Sequence, residues 1–254
     1  MKFSINKKIF DNDDYFVYLP NNKEIVPTKI KFNTDLKDIL FVEKQKNLIF
    51  ENTKRFKYSA ESNNVLLWGA SGMGKSTLIK CVVKEANKLA KKSLKLIEIS
   101  NNHLELLPEI IYMLSQLNYK FIIFIDDIFL KKDNPNFNTL KSIVEGSLLG
   151  DSDNIKFYIT SNLRHISDQN TENFNNNELI KKEMRLNLSS LSDRFALWIG
   201  FYDNDKEKYL ETIKYYANKF KIKSYSSKKA LEWSINKGNY SGRTAIQYIK
   251  NLND

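Results

Sequence analysis

The chain has 254 residues, enough for one large domain or for one domain with a small appendage. Its 42% hydrophobic and 28% charged residues are ordinary for a globular protein, no apolar run approaches the ~20 residues that span a bilayer, and Met1–Asn6 lacks the apolar stretch of a signal peptide. A net charge of +10 admits nucleic acid as a partner. Yet pairs such as Lys91-Lys92, Lys131-Lys132, Lys181-Lys182 and Lys228-Lys229 spread that charge along the whole chain, and no specific nucleic-acid motif accompanies it, so a solvated basic surface is the first expectation.

Residues 1–35 carry alternating segments, Tyr15–Leu19 and Thr28–Phe32, around Pro20-Asn21-Asn22, which predicts an N-terminal arm or hairpin. The apolar positions Leu36, Ile39, Leu40, Val42, Leu48 and Ile49 then predict helices reaching about Tyr58. From there strands and helices alternate. Strands are expected at Val65–Trp68, Leu94–Ile99, Phe121–Ile125, Ile155–Thr160 and Leu197–Tyr202, with helices at Lys75–Ala90, Leu104–Leu117 and Phe137–Leu149. Continuous apolar strands belong to a parallel sheet covered on both faces. At this spacing they predict a doubly wound, mostly parallel five-stranded α/β domain over residues 36–202. Asp168–Asn177 is an Asn-rich polar loop within it. Beyond Tyr202 only helices are expected, at Lys206–Phe220, Lys228–Asn236 and Arg243–Leu252, forming a small all-helical domain over residues 203–254.

Residues 69–76, Gly-Ala-Ser-Gly-Met-Gly-Lys-Ser, follow the first apolar strand and open a helix. This is the spacing and the setting of a phosphate-binding P-loop. Glycines take positive φ and carry no Cβ, so the backbone can curl around phosphates. The N–H groups of Ala70, Ser71, Gly72, Met73, Gly74, Lys75 and Ser76 then face inward at a helix N-terminus, where the dipole favours anions. Lys75 brings positive charge to the β- and γ-phosphates, the Ser76 hydroxyl suits Mg²⁺, and Thr77 completes the nucleotide-contacting stretch with Gly69 at its other end. Cys81 falls early in the following helix and reads as a buried structural thiol. One cysteine allows no internal disulfide, and with no leader or membrane span the expected location is the cytoplasm.

Phe121–Ile125 ends in Asp126-Asp127. In a parallel sheet the C-terminal end of a strand opens onto the ligand crevice. Asp126 is placed to hold Mg²⁺ and Asp127 to orient the attacking water. Ile155–Thr160 ends in Thr160-Ser161-Asn162, where Asn162 either reaches between the two aspartates and the γ-phosphate or makes an Asx turn. The guanine-reading string Asn-Lys-x-Asp is not matched, since Asn236-Lys237-Gly238-Asn239 lacks the final Asp, so ATP is the expected nucleotide. His103 and His165 are too few and too far apart for a metal centre.

Strand, P-loop and helix, Asp-Asp after the third strand, Thr-Ser-Asn after the fourth and a helical C-terminal lid together resemble the AAA+ ATPases. The resemblance makes these segments Walker A, Walker B and sensor 1. It also implies an arginine finger at Arg194, in Leu191-Ser192-Asp193-Arg194-Phe195, donated in trans to a neighbouring copy. It implies a sensor 2 at Arg243, in Gly238–Arg243, which reaches the nucleotide from the lid. More narrowly, Gln45–Phe56, Asn63–Gly69, Leu140–Gly146, Ser161–His165 and Ser192–Trp198 resemble an uncharacterised bacterial group of short predicted AAA+ ATPases. The resemblance implies a homo-oligomeric Mg-ATPase that drives or gates a conformational change in a macromolecular partner. One departure matters: Asp126-Asp127 replaces the usual Asp-Glu, which implies slow hydrolysis and leaves room for an ATP-gated switch or DNA-associated loader. A small-molecule kinase is weakened by the finger and sensor candidates.

Overall fold

The computed structural model describes residues 7–28, 33–58, 61–89, 94–128, 135–146, 152–162 and 195–252. Its strands are β1 (Tyr15–Leu19), β2 (Glu24–Pro27), β3 (Val65–Gly69), β4 (Leu94–Ile99), β5 (Lys120–Ile125), β6 (Ile155–Asn162) and β7 (Leu197–Phe201). They form one sheet in the order β2-β1-β4-β5-β6-β3-β7, parallel except for the β1–β2 pair. The α/β class and the five expected strands are present, but the sheet has seven strands. The extra two are the N-terminal hairpin. β1 pairs in parallel with β4, opposing Phe16 to Ile97, and buried Lys95 donates to the Asp13 carbonyl at 2.6 Å and the Asp14 carboxylate at 3.0 Å. The return strand starts at Glu24, earlier than Thr28, because Lys23 takes φ +49° and turns the chain tightly. The expected strand residues Lys29–Phe32 lie outside the described residues.

The helices are α1 (Ile9–Asn12), α2 (Glu43–Tyr58), α3 (Lys75–Lys88), α4 (Leu107–Ser115), α5 (Pro135–Gly146), α6 (Lys206–Lys219), α7 (Ser227–Lys237) and α8 (Gly242–Lys250). Two 3₁₀ turns, Leu36–Asp38 and Asn101–Leu106, precede α2 and α4. Both faces of the sheet are buried. On one face Ile97, Ile123, Ile159 and Phe157 pack with Ile110, Ile111 and Leu140. On the other Leu67, Leu96, Phe124 and Tyr158 pack with Ile49, Phe56, Leu78 and Val82. Burial on both faces explains why the strands read as unbroken apolar runs. Helices α6, α7 and α8 build a core of their own around Tyr209, Ile213, Ala217, Ala245 and Ile249. Each opens on a side-chain cap, from Asp205, Ser226 and Ser241 respectively. No helix among the described residues is long and apolar enough to cross a membrane.

Register places the chemistry. Gly69, at the end of β3, lies opposite Asn162 on β6 and Phe201 on β7. Ile125, at the end of β5, lies opposite Ile159 on β6, so Asp126 emerges beside Thr160.

Candidate functional site

The P-loop is held open by three glycines in left-handed conformations, Gly69 at φ +120°, Gly72 at +78° and Gly74 at +89°. All three also make room for neighbours that the motif does not reveal, Gly74 for Ile39 at 3.0 Å from an added Cβ. A Cβ on Gly69 would lie 1.9 Å from the Phe201 carbonyl, which accepts the Ala70 N–H at 2.9 Å. A Cβ on Gly72 would lie 2.5 Å from the Ser241 Oγ that caps α8. The Gly72 carbonyl accepts the Arg243 N–H at 3.1 Å, so the loop is bonded directly to the first turn of α8.

Buried Lys75 uses its three ammonium donors on the Gly69 carbonyl (2.8 Å), the Ala70 carbonyl (2.8 Å) and Asn162 Oδ1 (2.7 Å). Asn162 Nδ2 donates to Asp127 Oδ1 at 2.7 Å. The Asp127 N–H donates to Thr160 Oγ1 at 2.9 Å, and the Thr160 hydroxyl in turn donates to Asp126 Oδ1. Ser76 Oγ donates to the same Asp126 oxygen at 2.7 Å. A continuous polar chain therefore runs from Lys75 through Asn162, Asp127, Thr160 and Asp126 to Ser76. Asn162 bridges Lys75 and Asp127. Thr160 is a member that the strand-end pattern displayed without marking it.

Asp127 sits at φ +55°, the left-handed region that few residues other than glycine, asparagine and aspartate adopt. It is fixed from both sides, since its carbonyl also accepts Asn101 Nδ2 at 3.0 Å. Burial lowers the Lys75 pKa from 10.5 to about 8, although Asp127 and Asp126 act to raise it. Burial thus disfavours the charged form of Lys75, and nearby negative charge favours it.

These groups line a cavity of about 860 Å³. Ser71, Met73, Thr77 and the exposed Arg243 also line it, so it collects every sequence-predicted residue except Gly69, Ala70 and Arg194. Gly69 and Ala70 lie against its wall through their bonds to Lys75. Arg194 and His165 fall outside the described residues. Unmarked in the sequence is the part of the cavity lined by Asp38 and Ile39, from the strap before α2, and by Tyr216, Lys219 and Phe220, from α6 and its end.

Among the described residues no cluster of three or more His, Cys, Asp or Glu is placed to hold a metal alone. Ser76 and Asp126 nevertheless form a hard-oxygen donor pair of the kind Mg²⁺ uses when phosphates and water supply its remaining ligands. The donor set fits that ion.

A family described as "Protein of unknown function (DUF815)" matches this chain over residues 12–254. The chain belongs to the DUF815 family. No curated protein matches it. Among solved structures the DUF815 chain is similar to a variant of Thermotoga maritima RuvB, with 17% identity and a TM-score of 0.56, covering 85% of this chain and 63% of that one. It is similar to Aquifex aeolicus DnaA bound to AMPPCP, at 15% identity and TM-score 0.55, covering 89% and 66%. It is similar to Aeropyrum pernix ORC1 in complex with DNA, at 14% identity and TM-score 0.54, covering 84% and 61%. At these identities the likeness is one of fold alone, the mixed α/β fold with its mostly parallel sheet. The chain spans less than two thirds of the length of each of these structures.

Proposed function

We propose that this DUF815 protein binds Mg-ATP in the cavity between the sheet and the C-terminal helices and hydrolyses it slowly to gate a conformational change in a macromolecular partner. The observation that carries the reading is the polar chain from Lys75 to Ser76, which joins P-loop, β5 and β6 at one point. A glycine loop alone would support anion binding. The addition of two carboxylates, one on the hydroxyl and one on the asparagine, supports phosphoryl transfer.

In this reading the amides of residues 70–76 cradle the phosphates and Lys75 offers its charge to the β- and γ-phosphates. To do so, Lys75 exchanges one of its present acceptors for a phosphate oxygen. Ser76 and Asp126 would hold magnesium, which when bound neutralises charge on the phosphate oxygens. Asp127 orients a water and takes its proton as the water oxygen bonds to the γ-phosphorus. The bond from that phosphorus to the β–γ bridging oxygen breaks, giving ADP and inorganic phosphate. Asn162 keeps Asp127 aimed. Because Asp is one methylene shorter than Glu, its carboxylate stands farther from the water, which supports a slow, gating cycle. Residues 203–254 act as a lid domain over the body at 36–202, and Arg243 reaches the nucleotide from that lid. Arg194 serves a neighbouring copy's site, which makes the active form a homo-oligomer in the cytoplasm.

Comparing Asp127→Asn with the parent tests the assignment. The variant should retain ATP binding and lose turnover by about 10²- to 10⁴-fold, the range of a positioned general base. Unchanged turnover would remove Asp127 from the reaction.

A further inference from the structure

The cavity has a second charged centre, where the strap before α2 meets α6. Asp38 is 1% exposed and sits in the strap before α2. Its carboxylate accepts Lys219 Nζ at 2.5 Å, Tyr215 OH at 2.8 Å and the Asp35 N–H at 2.7 Å, while its carbonyl accepts Tyr216 OH at 2.7 Å. The three side chains come from α6. The strap is pinned on its other side to α3, where Lys84 Nζ donates to Asp35 Oδ1 at 2.8 Å and Cys81 Sγ donates to the Thr34 carbonyl at 3.6 Å. Since α3 starts at Lys75, the strap joins the P-loop helix to the C-terminal helices.

Two facts give this join a role beyond packing. The C-terminal helices have their own apolar core, and the strap's bonds to them are polar and directional. Such bonds form in one geometry and are lost outside it, whereas apolar contact tolerates sliding. The second tie, from Gly72 to Arg243, lies on the P-loop side of the same cavity.

We propose that Asp38 is a positioning residue for the nucleotide: with Lys219 and Tyr215 it holds the C-terminal helices against the cavity, so that retention of bound ATP depends on the Asp38–Lys219 pair. This rests on the ATP-binding reading above. A buried carboxylate that loses its cation is strongly disfavoured, so the pair breaks as a unit and the helices lose their register with the strap. Arg243 then loses its approach to the phosphates.

The test is the dissociation rate of a fluorescent ATP analogue, by stopped flow, from the full chain and from Asp38→Asn, Lys219→Met, their double variant, Lys219→Arg and Tyr215→Phe. Each single change at the pair should speed release roughly tenfold, within the usual range of coupling between sites. The double variant should release no faster than the singles, because both remove the same join. Lys219→Arg should restore slow release, which a mere loss of packing would not predict. If Asp38→Asn fails to fold, Tyr215→Phe keeps the ion pair and should still speed release by a smaller factor. Folded variants that release as slowly as the parent overturn the positioning role while leaving ATP binding intact. A parent chain that binds no analogue overturns the ATP reading, and this inference with it.

Discussion

Lys75 carries a charge that its buried setting disfavours, since burial brings its pKa down to about 8. Phosphate brings negative charge and raises that pKa, so nucleotide binding takes up a proton wherever the free lysine is partly neutral. Affinity should therefore be flat below pH 7 and fall as pH rises through about 8. Calorimetry at pH 8.5 in buffers of different ionisation enthalpy should show net proton uptake; no uptake would place the lysine already charged. The same shift has a consequence for folding. Lys75 is protonated more readily in the unfolded chain, so its contribution to stability rises with pH between about 8 and the ordinary 10.5. The identities of Lys75, Ser76, Asp126 and Asp127 were legible in the sequence because the motif fixes residue type and spacing together. Asp38 was not. It is one of several acids in a segment that reads as helix, and its partner Tyr215 lies 177 residues away.

At the scale of elements, strands β3 to β7 could be read because burial on both faces leaves continuous apolar runs. The docking of the hairpin could not, since period-two alternation fixes which side of β1 is buried but names no neighbour. The glycines carry a similar lesson. Positive φ explains Gly72 and Gly238 equally, at +78° and +68°. Their surroundings differ: a Cβ on Gly72 meets Ser241, and one on Gly238 meets nothing within 4 Å. Gly238→Ala should therefore cost only the conformational strain, about 1–2 kcal/mol in thermal unfolding, and leave ATP affinity unchanged. Gly72→Ala should weaken ATP binding as well, because the added methyl displaces the first turn of α8 and with it Arg243. Combining Gly72→Ala with Ser241→Gly should recover part of that loss. Equal affinities for Gly72→Ala and Gly238→Ala would show that the loop and α8 are not coupled.

At the scale of the molecule, the P-loop after β3 and the ends of β5 and β6 line one cavity, and residues of α6 and α8 line it too. If Arg194 acts in trans, turnover per subunit should rise with protein concentration, and Arg194→Ala should lower it by about 10³- to 10⁵-fold without weakening ATP binding. Turnover independent of concentration would contradict a shared site. All of this presupposes that the P-loop holds a nucleotide. The measurement that tests it most directly is titration calorimetry of Mg-ATP into the full chain at pH 7, beside Lys75→Ala. One saturable site per chain is expected in the parent and no detectable binding in the variant. Absence of binding to the parent, or equal binding to both, would contradict a nucleotide held by the P-loop.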